Sequence, residues 1–201
     1  MVNIEKNDEP EYFTNAKKKV SLPKTKGAWA DNEIKNIRFR LRKDILKSEQ
    51  NGVCAYCEQS ITSDKESSNI DHFRTRNLFP ELTLEYDNLV VSCNSNNRCS
   101  NHKDNNIKIK NEYDNIVNPV KENPEEFFEF LPTGEILPKN ERAEKTIEVF
   151  NLNHKSLQQR REGIAKTLMY LGNMTIEDIL AEMPSFHLFI KKVYPKLVIE
   201  T

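Results

Sequence analysis

Four cysteines in two close pairs bracket one histidine. The string runs Cys54-Ala-Tyr-Cys57, then Asn69-Ile-Asp71-His72-Phe73, then Cys93 and Cys99. Two such pairs are the donor set of one tetrahedral zinc ion. A tight turn over Cys54 and Cys57 can present two thiolates to one ion. The polar run Asn94-Ser-Asn-Asn-Arg98 suits a second, looser turn. The longer gap from Cys57 to Cys93 leaves room for a β-hairpin whose ends the ion would clamp. Two other readings are weaker. Reduced cysteines can serve as small apolar core side chains, but that does not call for paired spacing. A redox pair at Cys54 and Cys57 leaves Cys93 and Cys99 without a role.

Asp71-His72 lies between the halves of this clamp. Read as a strand, Ile70 and His72 face one side and Asp71 and Phe73 the other. A carboxylate able to hold a cation, beside an imidazole able to take a proton, suits metal-assisted hydrolysis. A single histidine can equally be a satisfied polar side chain; its place inside a metal clamp favours chemistry.

The elements that must position these residues follow from periodicity. Residues 1–28 carry Pro10, Pro23, Gly27 and Lys17-Lys18-Lys19 and read as an extended arm. From Trp29 to Glu49, the apolar residues Ile34, Ile37, Leu41 and Ile45 recur at helical spacing, and Gly52 marks the end. Residues 29–110 thus form a helix plus the cysteine-bearing core. Residues 111–201 form a connector and a helical region. The connector is broken by Pro119, Pro124, Pro132 and Pro138, and Pro132-Thr-Gly134 is a turn; Phe127, Phe128, Phe130 and Leu131 are too apolar for a free linker. Helices are expected over 140–150, 154–171, from Thr175 and over 185–194. The apolar residues Phe186, Phe189, Ile190 and Tyr194 are either core or a docking face for a partner.

Composition bounds the function classes. At 201 residues the chain is one medium domain, or a small core with an appended one. No run of apolar residues is long enough for a membrane helix. Met1 to Pro10 has no signal-peptide core, so a cytoplasmic protein is expected, where paired cysteines bind metal before they form disulfides. Net charge is −1, yet it is unevenly spread. Residues 15–47 hold eleven Lys/Arg against three Asp/Glu, and residues 111–150 ten acidic against four basic. The first half could meet phosphate and the second a protein partner, or both are solvated helix faces. With five glycines and no phosphate-binding loop, nucleotide binding by this chain is not expected.

Residues Cys54 to Lys103 resemble the HNH, or ββα-metal, nuclease module. The matching residues are Cys54 and Cys57, Asp71-His72, Asn88-Leu89, Cys93 and Cys99, and Lys103. A wider set resembles the PtuB-like HNH subunit of Septu-type and retron antiphage systems. It comprises Cys54-Ala-Tyr-Cys-Glu58, His72-Phe-Arg74-x-Arg76, Phe79-Pro80, Lys103-Asp-Asn105, Asn123-Pro-Glu-Glu-Phe127, Thr133-Gly-Glu135 and Thr146-Ile-x-Val-Phe-Asn-Leu152.

The resemblance implies an α+β fold: a small zinc-stapled ββα-metal core with helices before and after it. It implies a metal-dependent endonuclease that hydrolyses phosphodiester bonds, DNA favoured and RNA possible. The implied partners are a PtuA-like ATPase and, in retrons, a reverse transcriptase and its DNA. His72 would be the general base, Asp71 the ligand of Mg2+ or Mn2+, and Asn88 the residue orienting the His72 loop. Arg74, Arg76 and Lys103 would meet nucleic acid. One position departs from the family: Ser100 stands where a final metal-binding His or Asn is usual. His102 is the expected second ligand, with Asn101 next. The competing reading is a non-catalytic zinc-stabilised adaptor or nucleic-acid-binding module, which would need no base beside Asp71.

Overall fold

The computed structural model describes residues 1–172 and 174–199. At its centre is an antiparallel pair, β1 (Ser68–His72) and β2 (Leu89–Cys93), followed by helix α3 (Cys99–Asn106). The register sets Asp71 opposite Val90 and His72 opposite Leu89. Before the pair come α1 (Glu11–Lys19) and α2 (Asn32–Ser48). After it come a short antiparallel pair, β3 (Phe128–Phe130) and β4 (Ile136–Pro138), and four helices: α4 (Glu141–Phe150), α5 (Lys155–Leu168), α6 (Ile176–Glu182) and α7 (His187–Ile199). The architecture is the expected mixture of helices around a small sheet. Among the described residues no helix is long and apolar enough to cross a membrane.

The central pair divides two cores, which explains the apolar run Leu89-Val90-Val91 in β2. Leu89 and Val91 face Phe13, Trp29, Ile34, Leu41 and Ile45 from the N-terminal helices. Val90 faces the other way, towards the cysteines, Phe73, Phe150 and the C-terminal helices. Strand alternation thereby sends Ile70 and His72 to one side and Asp71 and Phe73 to the other, as their spacing predicted.

Two elements differ from the sequence reading. The first 28 residues are not a free arm: residues 11–19 are helical, with Phe13 and Ala16 buried. The stretch before them is laced down through Ile4 N–H to the Pro119 carbonyl and Lys6 Nζ to Glu49 at 2.6 Å. Lys17, Lys18 and Lys19 fall in the last helical turn, where positive charge suits the helix dipole. The connector, in turn, contains the β3–β4 hairpin, which buries Phe128 and Phe130.

The hairpin turn relies on Gly134, at φ +84°. A methyl group there would run into the Gln158 carbonyl of α5, and the buried Arg161 guanidinium donates to the Gly134 carbonyl at 2.5 Å. Gly134→Ala is therefore expected to lower stability by about 2–4 kcal/mol. Denaturant melting of the purified protein checks this, and a change under 0.5 kcal/mol would show that the turn tolerates a side chain.

The C-terminal helices pack as core. Phe186, Phe189, Ile190 and Tyr194 are all buried, so the possible docking face is the inner face of α7. The turn into α7 is knotted to the first cysteine turn, where Glu58 Oε2 accepts from Leu188 N–H at 2.9 Å.

Candidate active site and metal centre

The four thiols meet although they come from three places: the turn after α2, the end of β2 and the first residue of α3. All are buried, and their sulfurs lie within 4.8 Å of one another. Tetrahedral Zn–S bonds of about 2.3 Å make sulfurs about 3.8 Å apart, and Cys57 and Cys93 Sγ are separated by 4.0 Å. The set therefore fits one tetrahedral ion. Cys93 N–H also donates to Cys54 Sγ at 3.3 Å. Burial opposes ionisation of Cys54, but hydrogen bonds with the other three thiols bring it well below the ordinary thiol value. Cys99 takes a left-handed backbone, φ +57°, a strain typical of residues held by their surroundings.

His72 ends β1 and is buried. Its Nε2 donates to the Thr83 carbonyl at 2.9 Å, and its ring meets Trp29 edge to face at 4.7 Å. A carbonyl only accepts, so the proton sits on Nε2 and Nδ1 carries the lone pair. Burial pushes the imidazole down to about 3, helped by the charges of Arg76, Lys103 and Arg38. It is neutral at physiological pH.

Asn88 locks this geometry. Its Oδ1 accepts from Arg74 N–H at 2.8 Å, while Nδ2 donates to the carbonyls of Arg74 at 3.0 Å and Leu82 at 3.2 Å. One amide thus ties the segment after His72 to the segment bearing the Thr83 carbonyl.

Asp71 faces the other core. It accepts from Tyr56 Oη at 2.5 Å and pairs with Lys103 Nζ at 2.9 Å. Burial raises its carboxyl to about 6 against the opposing pull of Lys103. Lys103 differs from its expected place at phosphates. It is fully buried, and its ammonium also donates to the carbonyls of His72 at 2.6 Å and Phe73 at 2.9 Å. It braces the end of β1 and does not reach solvent.

Asp71 and His72 open onto one cavity of about 240 Å³, lined also by Arg76, Ser100, Asn101 and Asp104. His102 is not among the lining residues. Its Nδ1 faces the Val149 carbonyl of α4 at 2.8 Å, because two residues past Ser100 the helix has turned roughly 200°. Asn101 lines the cavity while donating to the Ser95 carbonyl at 2.9 Å. Burial lowers the proton affinity of Arg76 below the ordinary guanidinium value, while Asp104 and Asp71 support its charge. Arg74 pairs loosely with Asp114 at 3.5 Å on the surface.

Four residues at the site escaped the sequence reading as site residues. Tyr56 lies inside the first cysteine pair and stacks on Phe150 at 4.2 Å. Asp104 follows the motif lysine. Trp29 and Arg38 come from outside the ββα unit, with the Arg38 guanidinium 4.9 Å above the Trp29 ring. Only Tyr56 and Asp104 carried a signal, their adjacency to motif residues.

Four clustered thiols, an antiparallel pair whose first strand ends in Asp-His and a helix carrying the last thiol define a mixed helix and small-sheet protein with a cysteine cluster able to hold a metal ion. No protein-family model matches the chain. It is 30% identical over 171 residues to the "Septu protein PtuB" of Bacillus mycoides (strain KBAB4), covering 70% of this chain and 54% of that protein. It is 22% identical over 185 residues to a protein of the same name from Bacillus thuringiensis, covering 89% and 63%. It is also 25% identical over 189 residues to the "Retron Vc95 putative HNH endonuclease" of Vibrio cholerae serotype O1 biovar El Tor, covering 87% of each. The chain is related to these PtuB and retron HNH proteins, as its motifs indicated, and spans less than two thirds of the length of either PtuB protein.

Proposed function

We propose that the chain is a metal-dependent HNH endonuclease that hydrolyses phosphodiester bonds, DNA in preference to RNA. It would serve as the effector of a cytoplasmic antiphage system beside a PtuA-like ATPase, with a reverse transcriptase and its DNA if the system is a retron. The observation that carries this reading is the neutral His72, which lines the same cavity as Asp71 and whose Nδ1 makes no hydrogen bond among the described residues.

In this reading zinc held by Cys54, Cys57, Cys93 and Cys99 is structural. His72 Nδ1 takes the proton of the attacking water. Trp29 and the Thr83 carbonyl keep the ring from turning, and Asn88 holds both segments in register. A Mg2+ or Mn2+ ion bound through Asp71 would supply charge neutralisation at the phosphate. Arg76 meets a phosphate at the cavity, and Arg74 one farther along the strand.

The test is cleavage of plasmid, single-stranded DNA and tRNA with Mg2+ or Mn2+, by the chain alone and with its neighbouring ATPase. Metal-dependent cutting of one polymer is the expected result. No cutting in any mixture by zinc-loaded protein would reject the reading.

Arg38 extends the basic surface. Burial and the charge of Arg76 both lower its proton affinity, and its buried Nε has no hydrogen-bond partner among the described residues. A phosphate would relieve both strains. Arg38→Ala is expected to weaken nucleic-acid binding about tenfold and lower the salt slope by about one. Arg40→Ala is the control, since Arg40 lies on the same helix but pairs with Asp44 at 3.8 Å. Equal effects of the two substitutions would show that only net charge matters.

A further inference from the structure

The missing final ligand of the motif has a substitute in the same cavity. Ser100 and Asp104 are four residues apart on α3 and so share one face of the helix. Both line the cavity that Asp71 and His72 open onto. Ser100 is 3% exposed, and its Oγ is buried with no hydrogen-bond partner among the described residues. Native structures rarely leave such a hydroxyl unmatched, and an unseen water or ion is a common reason.

The carboxylates already converge on one positive charge. Lys103 Nζ lies 2.9 Å from Asp71 Oδ2 and 3.2 Å from Asp104 Oδ1, so these oxygens are no more than about 6 Å apart. Oxygens around a six-coordinate Mg2+ at about 2.1 Å stand about 3–4 Å apart. The Asp104 side chain is half exposed, and Lys103 is its one ion-pair partner among the described residues, with Arg76 a more distant positive neighbour. A modest rotation of Asp104 closes the gap, whereas His102 would have to cross to the opposite side of α3.

We propose that Asp104 is the second protein ligand of the divalent cation held by Asp71, and that the Ser100 hydroxyl binds a water on that cation. The assignment rests on the nuclease reading for its purpose, but not for the binding itself. Two carboxylates and a hydroxyl form a hard, all-oxygen set that suits Mg2+ or Mn2+ and leaves the soft thiol cluster to zinc. The remaining positions stay open to water and phosphate.

The experiment is Mn2+ binding to the full, zinc-loaded chain without nucleic acid, read by titration calorimetry and by the Mn2+ electron paramagnetic resonance signal. Zinc content and melting temperature report that each variant is folded. Asp104→Asn is expected to weaken Mn2+ at least tenfold, Asp104→Glu to restore part of the affinity, and Ser100→Ala to cost a few-fold. His102→Ala is expected to stay within twofold of wild type. Mn2+ affinity unchanged in folded Asp104→Asn, or lost in folded His102→Ala, overturns the assignment, and so does wild-type protein that binds no Mn2+. Cleavage of plasmid, single-stranded DNA and tRNA is measured on the same samples. Mn2+ binding lost in Asp104→Asn, with no cutting by wild type, would sink the nuclease reading and leave the cation site standing.

Discussion

His72→Ala is expected to lower cleavage by about 10²–10⁴-fold while zinc stays bound. That range is the usual contribution of a positioned general base. The substitution also removes the ring packed on Trp29 and the donor to the Thr83 carbonyl, so His72→Gln is the paired variant, since its amide can supply a donor without a base of comparable strength. Loss in both variants with unchanged melting assigns the effect to proton transfer. Full activity in a folded His72→Gln would point to the adaptor or to another base.

The pH profile adds a separate check. His72 must be neutral to accept a proton, and burial holds it at about 3, so it remains competent well below the ordinary imidazole value. Asp71 must be ionised to hold a cation, and burial holds its carboxyl up to about 6. The acid limb of kcat/KM is therefore expected near 6, set by Asp71, and raising the Mn2+ concentration should move it to lower pH because the cation competes with the proton. A limb that ignores the metal concentration would contradict this assignment.

Removal of the zinc proposed for the four thiols carries the second large effect. Four buried thiols converge from three chain segments, and between β2 and α3 the chain has only a short polar turn to hold it. Structural zinc contributes on the order of 10 kcal/mol or more at neutral pH, comparable with the whole stability of a typical domain, about 5–15 kcal/mol. A strong chelator, or Cys57→Ala, is therefore expected to unfold the ββα unit and abolish cleavage together. Helices α4–α7 pack against the same core as the cysteines, so circular dichroism should show loss beyond the hairpin. A chelated protein melting within a few degrees of the zinc-loaded one would mean that the apolar core alone holds the fold.

Much of the site was legible because its chemistry is local in sequence. A Cys-x2-Cys turn can present both of its thiols to one ion through local geometry alone, and strand alternation separates Asp71 from His72 whatever surrounds them. The α2 stripe of Ile34, Leu41 and Ile45 was equally clear, since a 3.6-residue period needs no tertiary information. The sequence showed α1 and the β3–β4 hairpin poorly. Helix α1 buries only Phe13 and Ala16 in nine residues, and each strand of the hairpin is three residues long, too short for a period to emerge.

What only the tertiary structure decided is which side of each element meets which neighbour. An apolar stripe such as Phe186, Phe189 and Ile190 looks the same whether it meets a partner or its own core, and packing against Phe130 and the cysteine side made it core. His102 and Asp104 both lie within five residues of Cys99, and sequence distance cannot rank them. The rotation of α3 can. The fixed Cys99 sulfur and the buried Lys103 ammonium set that rotation, which turns Ser100 and Asp104 to the cavity and His102 to α4. Trp29 and Arg38, more than thirty residues from His72, reach it only because α2 packs across the sheet. Such proximity comes from burying apolar faces together, and no local pattern records it.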